Sequence, residues 1–224
     1  MGIRENIQKI RERIERAALR AGRDPGEIKI MGATKTVPPG KIREAYQAGL
    51  RLFGENRVQE GLKKIQELKD LPLEFHFIGV LQSNKVRKAV ENFSAIHSVA
   101  SLKLAKKINS VALEKGMSYP VFFEINLGAE ESKSGFPPEV FFSSLEELYS
   151  LPGLKPLGLM TIPPLGENPR PYFVKLREIL EEVRETFGPE FKELSMGMSD
   201  DYEVAVEEGA TFLRIGRAIF GERT

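Results

Sequence analysis

The stretch IKIMGATKT, residues 28–36, is a short apolar run that ends in a lysine. Such a run is typical of a buried strand, which would place Lys35 at the exit of that strand. Apolar residues recur at helical spacing on either side, over 3–21 before the strand and over 41–48 after it, and a glycine follows each segment. The chain is therefore predicted to begin with helix, strand and helix.

The same alternation continues along the sequence. Eight apolar runs are predicted as strands, namely 28–33, 50–54, 75–79, 95–99, 121–127, 157–162, 193–197 and 212–216. The clearest helices between them are 102–115, 172–187 and 202–208, each followed by glycine. Strict alternation implies a parallel sheet, and about eight units fit a compact barrel, whose usual size is ~250 residues. We therefore expect an α/β fold, a single (β/α)8 TIM-barrel domain over 1–224 with an extra N-terminal helix.

A doubly wound open sheet is the competing arrangement. Such sheets usually carry the glycine pattern G-x-G-x-x-G after their first strand, where it binds a dinucleotide. The corresponding segment GATKTVPPG, residues 32–40, does not fit that pattern, and the sequence contains no P-loop pattern. The barrel is therefore the preferred prediction.

Composition excludes several classes of function. The 33 basic and 32 acidic residues leave no positive field for a polyanion, so nucleic acid is not an expected partner. The absence of cysteine excludes disulfides, thiolate catalysis and thiolate metal sites, and two histidines are too few for a multi-histidine metal site. With no signal-peptide pattern and no apolar run of membrane-spanning length, we expect a cytoplasmic protein that does not enter the membrane.

Polar residues follow most of the predicted strands. In a barrel of this type the functional face lies at the carboxyl ends of the strands. The segments at those ends are Lys35, GEN (54–56), LQSNK (81–85), SKSG (132–135), SMGMSDD (195–201) and RIGRAIFG (214–221).

The last two segments predict a phosphate site. Barrels commonly hold a phosphate in the loops after strands seven and eight, using backbone amides and a helix N-terminus. Ser199 supplies a hydroxyl, and Gly216 lets the backbone approach an anion beside the cations Arg214 and Arg217. A phosphate monoester is the expected ligand.

The lysine and the phosphate site together indicate a carbonyl compound. A lysine amine that is desolvated near other cations loses its proton more easily and can form a Schiff base with a carbonyl. Pyridoxal 5'-phosphate (PLP) is a cofactor that carries both an aldehyde and a phosphate. A sugar-phosphate aldol substrate meets the same description, so both remain open on these residues alone.

Several polar residues are predicted to serve the fold. Asp200 and Glu203 have the spacing of a helix capping box, and adjacent acids such as Asp200 and Asp201 usually complement a helix dipole. His76 is expected to be a hydrogen-bonded core histidine rather than a catalytic base, and His97 is a weaker candidate still. No metal site is predicted.

The motifs resemble those of one family along most of the chain. These are GATKT, FGENRVQE, FHFIGVLQSNK, SKSG, GLMTIP, LSMGMSDDYEVAVEEGAT and RIGRAIFG. In order, spacing and identity they are similar to the pyridoxal phosphate homeostasis proteins, a barrel family related to the N-terminal half of alanine racemase. The resemblance implies a protein that holds PLP as a reversible Schiff base in vitamin B6 homeostasis, with no dedicated catalytic turnover and no catalytic residues.

The resemblance also implies cofactor-binding residues. Lys35 would form the Schiff base with the aldehyde, while Ser199 and the backbone at Gly216 and Arg217 would hold the phosphate. The binding partners it implies are PLP itself and PLP-accepting apo-enzymes. We expect the chain to act as a monomer or a weak homodimer.

Arg214 would face the pyridine nitrogen of the cofactor. A guanidinium donates a hydrogen bond but does not readily hand over its proton, so the ring would stay a poor electron sink. An ion pair between Arg214 and a carboxylate such as Glu55 is a further possibility that the sequence leaves open.

The edges of the pocket are assigned on weaker grounds. Asn56 is expected in the pocket wall. Val80 departs from the family pattern, in which a polar residue such as histidine follows HFIG. Lys133 is expected to be either a loop lysine or a second cation at the mouth.

Two enzyme classes are the alternatives. A PLP-dependent racemase of the alanine racemase type needs an acid or base on each face of the α-carbon, and Lys35 could supply only one. In alanine racemase a tyrosine of an added β-domain supplies the other, and because this sequence ends at Thr224 we expect no such domain. A Schiff-base aldolase acting on a phosphorylated sugar is the second alternative, and it predicts a colourless protein.

Overall fold

The chain forms a closed barrel of eight parallel strands, in which each strand pairs with the next along the chain and the last pairs with the first. The computed structural model describes residues 2–128 and 134–222. The strands are β1 (Lys29–Ala33), β2 (Leu52–Glu55), β3 (Glu74–Phe77), β4 (Ala95–Val99), β5 (Tyr119–Glu124), β6 (Leu154–Met160), β7 (Glu193–Ser195) and β8 (Phe212–Ile215). The predicted (β/α)8 barrel is confirmed.

Helices surround the strands. Within the described ranges they are α1 (Ile3–Arg20), α2 (Pro39–Gln47), α3 (Val58–Glu67), α4 (Val86–Asn92), α5 (Leu102–Glu114), α6 (Pro138–Ser143), α7 (Leu145–Tyr149), α8 (Arg170–Phe187), α9 (Tyr202–Glu207) and α10 (Arg217–Phe220), with short 3-10 turns at Pro25–Glu27 and Ser83–Lys85. The predicted N-terminal helix is α1, whose isoleucines at 3, 7, 10 and 14 are buried. It packs against α2, α9 and α10.

The start of the second strand was predicted too early. The prediction was 50–54, whereas β2 begins at Leu52. Gly49 has a φ of +88°, and the N–H of Leu50 donates to the carbonyl of Ala45 at 3.0 Å. These residues therefore complete the C-terminal cap of α2, which delays the strand although Leu50 is apolar and buried.

The fifth and sixth strands begin earlier than predicted. The predictions were 121–127 and 157–162, whereas β5 begins at Tyr119 and β6 at Leu154. Each strand has a proline close to its start, Pro120 and Pro156. Proline lacks an N–H donor but is tolerated at the first residues of a strand, so it did not mark a boundary here.

Two layers of side chains result from the alternation along the strands. The larger apolar core lies between the barrel and the helices. A smaller apolar cluster fills the barrel interior and comprises Met31, Ile78, Phe122, Met160 and Phe212. Polar side chains share this interior. His76 on β3 and His97 on β4 are buried there and contact each other.

Candidate cofactor site

A pocket of about 230 Å³ lies at the carboxyl ends of the strands. Five of the six predicted cofactor-binding residues line it, namely Asn56, Ser199, Arg214, Gly216 and Arg217. The sixth, Lys35, is not among the residues that line this pocket, although Ala33, two residues earlier, is. The fold thus brings together the loops after β1, β2, β7 and β8.

Lys35 lies in a tight turn directly after β1. The N–H of Val37 donates to the carbonyl of Thr34 at 2.9 Å and closes the turn. Thr36, at the centre of the turn, has a φ of +64°, which is unusual for a residue with a Cβ atom. Lys35 is half-buried and has no hydrogen-bond or ion-pair partner within the described ranges, so its amine is available to a ligand.

A buried ionic cluster supports this turn from the layer between β2 and α3. The ammonium of Lys64 donates to the carbonyl of Thr34 at 2.5 Å, to Glu55 Oε1 at 2.8 Å and to Glu60 Oε1 at 2.7 Å. Glu60 Oε1 also accepts the N–H of Thr36 at 2.6 Å. The cluster therefore binds the backbone on both sides of Lys35.

Glu55 is the most constrained member of the cluster. Its side chain is fully buried, and its Oε2 has no hydrogen-bond partner in the described part of the chain. Burial raises the pKa of Glu55, although the hydrogen bonds from Lys64 and Thr34 oppose that change. Burial acts in the same direction on Glu60, but hydrogen bonds from Lys64 and Thr36 outweigh it and lower the pKa of Glu60.

This ionic cluster is not among the residues predicted for the site from the sequence. Glu55 and Glu60 lie within the quoted segment FGENRVQE, and Lys64 follows Glu60 by four residues. An acid four residues before a lysine on a predicted helix is a recognisable pairing signal. That signal would have found the pair Glu60 and Lys64, but not the contact of Lys64 with Glu55.

Ser199 and Gly216 meet where the loops after β7 and β8 approach each other. The hydroxyl of Ser199 accepts the N–H of Ala218, in the first turn of α10, at 3.1 Å. A Cβ atom at Gly216 would lie 3.2 Å from the carbonyl oxygen of Ala33. The amide of Arg217 is the first of α10 and so has no partner within the helix. This arrangement suits an anion.

The side chain of Arg217 points to another partner. It forms a salt bridge with Asp200, and about half of the Arg217 side chain is exposed. At the predicted phosphate site, Arg217 therefore has its backbone amide to offer rather than its side chain.

The predicted capping box at the start of α9 is wrong. The helix begins at Tyr202, and Asp201 occupies the capping position without a side-chain cap. Glu203 forms a salt bridge with Arg13 of α1 instead, and Asp201 accepts the N–H of Met198 at 2.6 Å. Tertiary ion pairing has replaced the local cap.

Arg214 extends from β8 into the barrel interior and is 4% exposed. Its guanidinium donates to Ser195 Oγ at 2.8 Å and to the carbonyl of Thr161 at 2.9 Å. The pairing with Glu55 that the sequence left open is not formed, because Glu55 faces α3 and binds Lys64. Other N–H donors of the guanidinium remain for a ligand in the pocket.

The charge of Arg214 is only partly compensated. Burial lowers the pKa of Arg214 to about 10, and the carboxylates of Glu124 and Asp201 oppose that change. Arg214 thus stays protonated at neutral pH. Burial in turn raises the pKa of both Glu124 and Asp201.

The predicted edge residues lie in different places. Asn56 lines the pocket and also a second depression of about 420 Å³, which is lined by Val80 and Lys85 as well. Val80 is 72% exposed and does not line the first pocket. Lys133 lies outside the described residues.

Neither a metal nor a membrane feature is found in the described ranges. Residues 2–128 and 134–222 contain no group of three or more acidic, histidine or cysteine side chains that could hold a metal ion. The helices of this part of the chain are too short or too polar to cross a bilayer.

Comparison with known proteins defines the class of the chain. The family described as alanine racemase, N-terminal domain, matches residues 3–224, so the chain belongs to that family. Alanine racemase of Clostridium difficile in complex with cycloserine has a TM-score of 0.74 at 19% identity, and this chain covers 60% of it. At that identity the likeness concerns the fold alone.

Full-length relatives are more specific. The pyridoxal phosphate homeostasis protein of Aquifex aeolicus is 50% identical, over 98% of this chain and 97% of the relative. That of Pseudomonas aeruginosa is 45% identical, over 99% and 96%. The structure of PipY from Synechococcus elongatus with PLP bound has a TM-score of 0.87 at 39% identity, and 98% of this chain and 100% of PipY are covered. The predicted resemblance to the pyridoxal phosphate homeostasis proteins is confirmed.

Proposed function

We propose that this chain is a cytoplasmic PLP-binding protein of vitamin B6 homeostasis, built as a single barrel domain. It holds PLP as a reversible Schiff base at Lys35 without a dedicated turnover reaction, and delivers it to PLP-accepting apo-enzymes. It acts as a monomer or a weak homodimer.

The observation that supports this proposal is the convergence of the predicted residues on one pocket. Asn56, Ser199, Arg214 and Gly216 come from loops and strands far apart in the sequence and line the same space. The full-length relatives named for pyridoxal phosphate homeostasis, and the PipY structure with PLP, support the same ligand.

The residues fit the chemistry of the cofactor. When bound, PLP supplies an aldehyde that condenses reversibly with an amine. Lys35 has an amine without a partner in the described ranges, and Arg214 has donors for a ring nitrogen. Ser199, with the first amide of α10, offers donors to a phosphate.

Arg214 favours storage of the cofactor over catalysis. Because its pKa of about 10 keeps the guanidinium charged at neutral pH, Arg214 donates a hydrogen bond to the ring nitrogen without giving up a proton. A ring held in this way would withdraw electrons weakly, which disfavours transamination.

The first experiment is the visible absorption spectrum of the purified protein with added PLP, before and after borohydride, followed by peptide mass mapping. We expect a yellow band that bleaches on reduction, with the pyridoxyl mass on Lys35. Lys35→Ala should lose the adduct while weak, reversible binding persists through the phosphate contacts. Lys85→Ala is the matched control, because Lys85 lines the neighbouring depression, and it should keep the adduct.

Three outcomes would contradict the proposal. An unchanged adduct in Lys35→Ala would place the covalent bond on another lysine. No band at all would favour an aldolase that acts on a phosphorylated sugar. Formation of D-alanine from L-alanine by the loaded protein would favour the racemase.

A further inference from the structure

A continuous chain of hydrogen bonds crosses the barrel interior behind Arg214. Ser195 Oγ lies 2.8 Å from the Arg214 guanidinium and 2.7 Å from His97 Nδ1. His97 Nε2 lies 2.8 Å from His76 Nδ1, and His76 Nε2 lies 2.8 Å from Glu74 Oε1. These five residues form a hydrogen-bonded row that we call the Glu74–Arg214 chain.

The Glu74–Arg214 chain joins the two ends of the barrel. Arg214 lines the pocket at the carboxyl ends of the strands, whereas Glu74 is the first residue of β3 and 56% of its side chain is exposed. The three residues between them, His76, His97 and Ser195, are all buried. Solvent at the far end of the barrel is thus linked to the pocket by groups that can each pass on a hydrogen bond.

The chemistry of the two ends determines the direction of every hydrogen bond. A guanidinium has only donors and an ionised carboxylate has only acceptors. If both histidines are neutral, Glu74 must accept from His76 Nε2–H, and His76 Nδ1 must accept from His97 Nε2–H. His97 Nδ1 then accepts the hydroxyl hydrogen of Ser195, whose oxygen accepts from Arg214. One arrangement therefore satisfies all five groups.

The surroundings keep His97 neutral and keep water out. His97 stacks on Phe122, with ring centroids 4.0 Å apart, and Phe212 covers it edge-on at 5.4 Å. Burial lowers the pKa of His97 well below its ordinary value, and the positive charges of Arg214 and Lys29 act in the same direction, as a charge on His76 would. Lys29 is itself paired with Glu193 at 3.2 Å. At the Arg214 end, the carboxylates of Glu124 and Asp201 also act on the guanidinium.

A proton added at the Glu74 end would reverse part of the chain. A doubly protonated His76 donates from both nitrogens, so His97 would have to accept at Nε2 and donate from Nδ1 to Ser195. Ser195 would then accept from both His97 and Arg214, and its own hydrogen would lose its acceptor within the chain. The reversal of the hydrogen bonds therefore extends to the Ser195 hydroxyl, which accepts a hydrogen bond from Arg214.

We propose that Ser195, His97 and His76 are positioning residues for Arg214, and that they make the Arg214 side of the pocket respond to protonation at Glu74 and His76 on the opposite end of the barrel. The effect on PLP rests on the function proposed above. The direction of the hydrogen bonds does not rest on it.

The direct test is nitrogen NMR of the cofactor-free protein labelled at histidine, which is unambiguous because the sequence contains only His76 and His97. We expect His97 as the neutral Nε2–H tautomer near neutral pH, and a change at His97 Nδ1 in Ser195→Ala. Near neutral pH, an Nδ1–H tautomer or a charged ring at His97 would overturn the proposal.

The second test is PLP titration with matched variants. Ser195→Ala removes one hydrogen bond to a charged group, so we expect PLP affinity to fall about tenfold and the absorption band of bound PLP to shift. The control is Ser98→Ala, which removes another buried hydroxyl, bonded to the carbonyl of Gly79, outside the chain. It should shift neither quantity. Equal effects of the two variants would overturn the proposal.

Glu74→Gln keeps the test decisive if Ser195→Ala does not fold. Glu74 lies at the exposed end of the Glu74–Arg214 chain, opposite the pocket. We expect the substitution to change the pH dependence of the absorption spectrum of bound PLP. An unchanged pH dependence would contradict the proposal. Failure of the wild-type protein to bind PLP would refute the proposed function. The histidine tautomers would still show whether the hydrogen bonds of the Glu74–Arg214 chain have the proposed direction.

Discussion

Lys35 and Arg214, the two cations proposed to bind the cofactor, are supported in opposite ways. Behind Lys35, the support is ionic and lies between β2 and α3, where Lys64 binds Glu55 and Glu60. Behind Arg214, the hydrogen-bond partners are neutral and lie inside the barrel. The ionic cluster binds the backbone around Lys35 and leaves its amine unpartnered among the described residues, whereas the neutral partners hold the guanidinium itself.

The difference follows from what each cation would have to do. An amine that reacts with an aldehyde must lose its proton, and a direct carboxylate partner would hold that proton in place. A guanidinium that only donates a hydrogen bond needs orientation, which neutral acceptors supply without forming an ion pair. Each support therefore suits the role proposed for its cation.

Removing the cation of the ionic cluster should have the largest effect on stability. Lys64→Met leaves Glu55 buried without its partner, so we expect the free energy of unfolding to fall by about 3–5 kcal/mol in urea titrations. A second change, Glu55→Met, should recover much of that loss, because an apolar pair of similar volume needs no charge compensation.

The matched control for Lys64→Met is Arg43→Met, which breaks the exposed pair of Arg43 with Asp70. Solvent screens that pair, so we expect a much smaller loss. Equal losses in the two variants would show that the buried cluster contributes no more than a surface ion pair.

Acid is expected to have the second largest effect on stability. It acts through His97, which lies in the hydrogen-bonded chain behind Arg214. The folded state holds the pKa of His97 well below 6.5, whereas the unfolded chain binds the proton near 6.5. Stability is therefore fully present above that value and is lost as the pH falls below it, at up to ~1.4 kcal/mol per pH unit. Urea titrations between neutral pH and mild acid measure the slope.

His97→Gln removes this titrating group and should flatten the slope in that range. The lowered pKa of Glu74, which its hydrogen bond with His76 causes, acts in a separate and more acidic range. Parallel pH profiles of wild type and His97→Gln would contradict the assignment to His97.

The smallest effect is expected at the turn that carries Lys35. Thr36 has a φ of +64°, so Thr36→Gly should relieve strain and raise stability by up to about 1 kcal/mol in thermal unfolding. Thr36→Ala keeps a Cβ atom and should give no such gain. A gain in the alanine variant alone would show that the threonine side chain, not the backbone, carries the strain.

Periodicity made much of the fold predictable. Each of the eight predicted strands overlaps an observed strand, because apolar runs and the glycines after helices are local signals. Boundaries moved where a local signal had two meanings: Leu50 is apolar and buried, yet it belongs to the cap of α2. The positions of Ser199, Arg214 and Gly216 followed from the rule that places function at the strand ends of a barrel.

The sequence by itself determined the strand and helix order, the closed barrel that this order implies, and the residues that reach its mouth. The tertiary structure alone decided which polar groups meet. The side chain of Glu55 points outward from β2 and binds Lys64. The side chains of His76 and His97 point inward from β3 and β4, and His97 contacts Ser195. Local periodicity assigns each side chain to a face, but only closure of the barrel fixes the register between distant strands and therefore the partner of each buried polar atom.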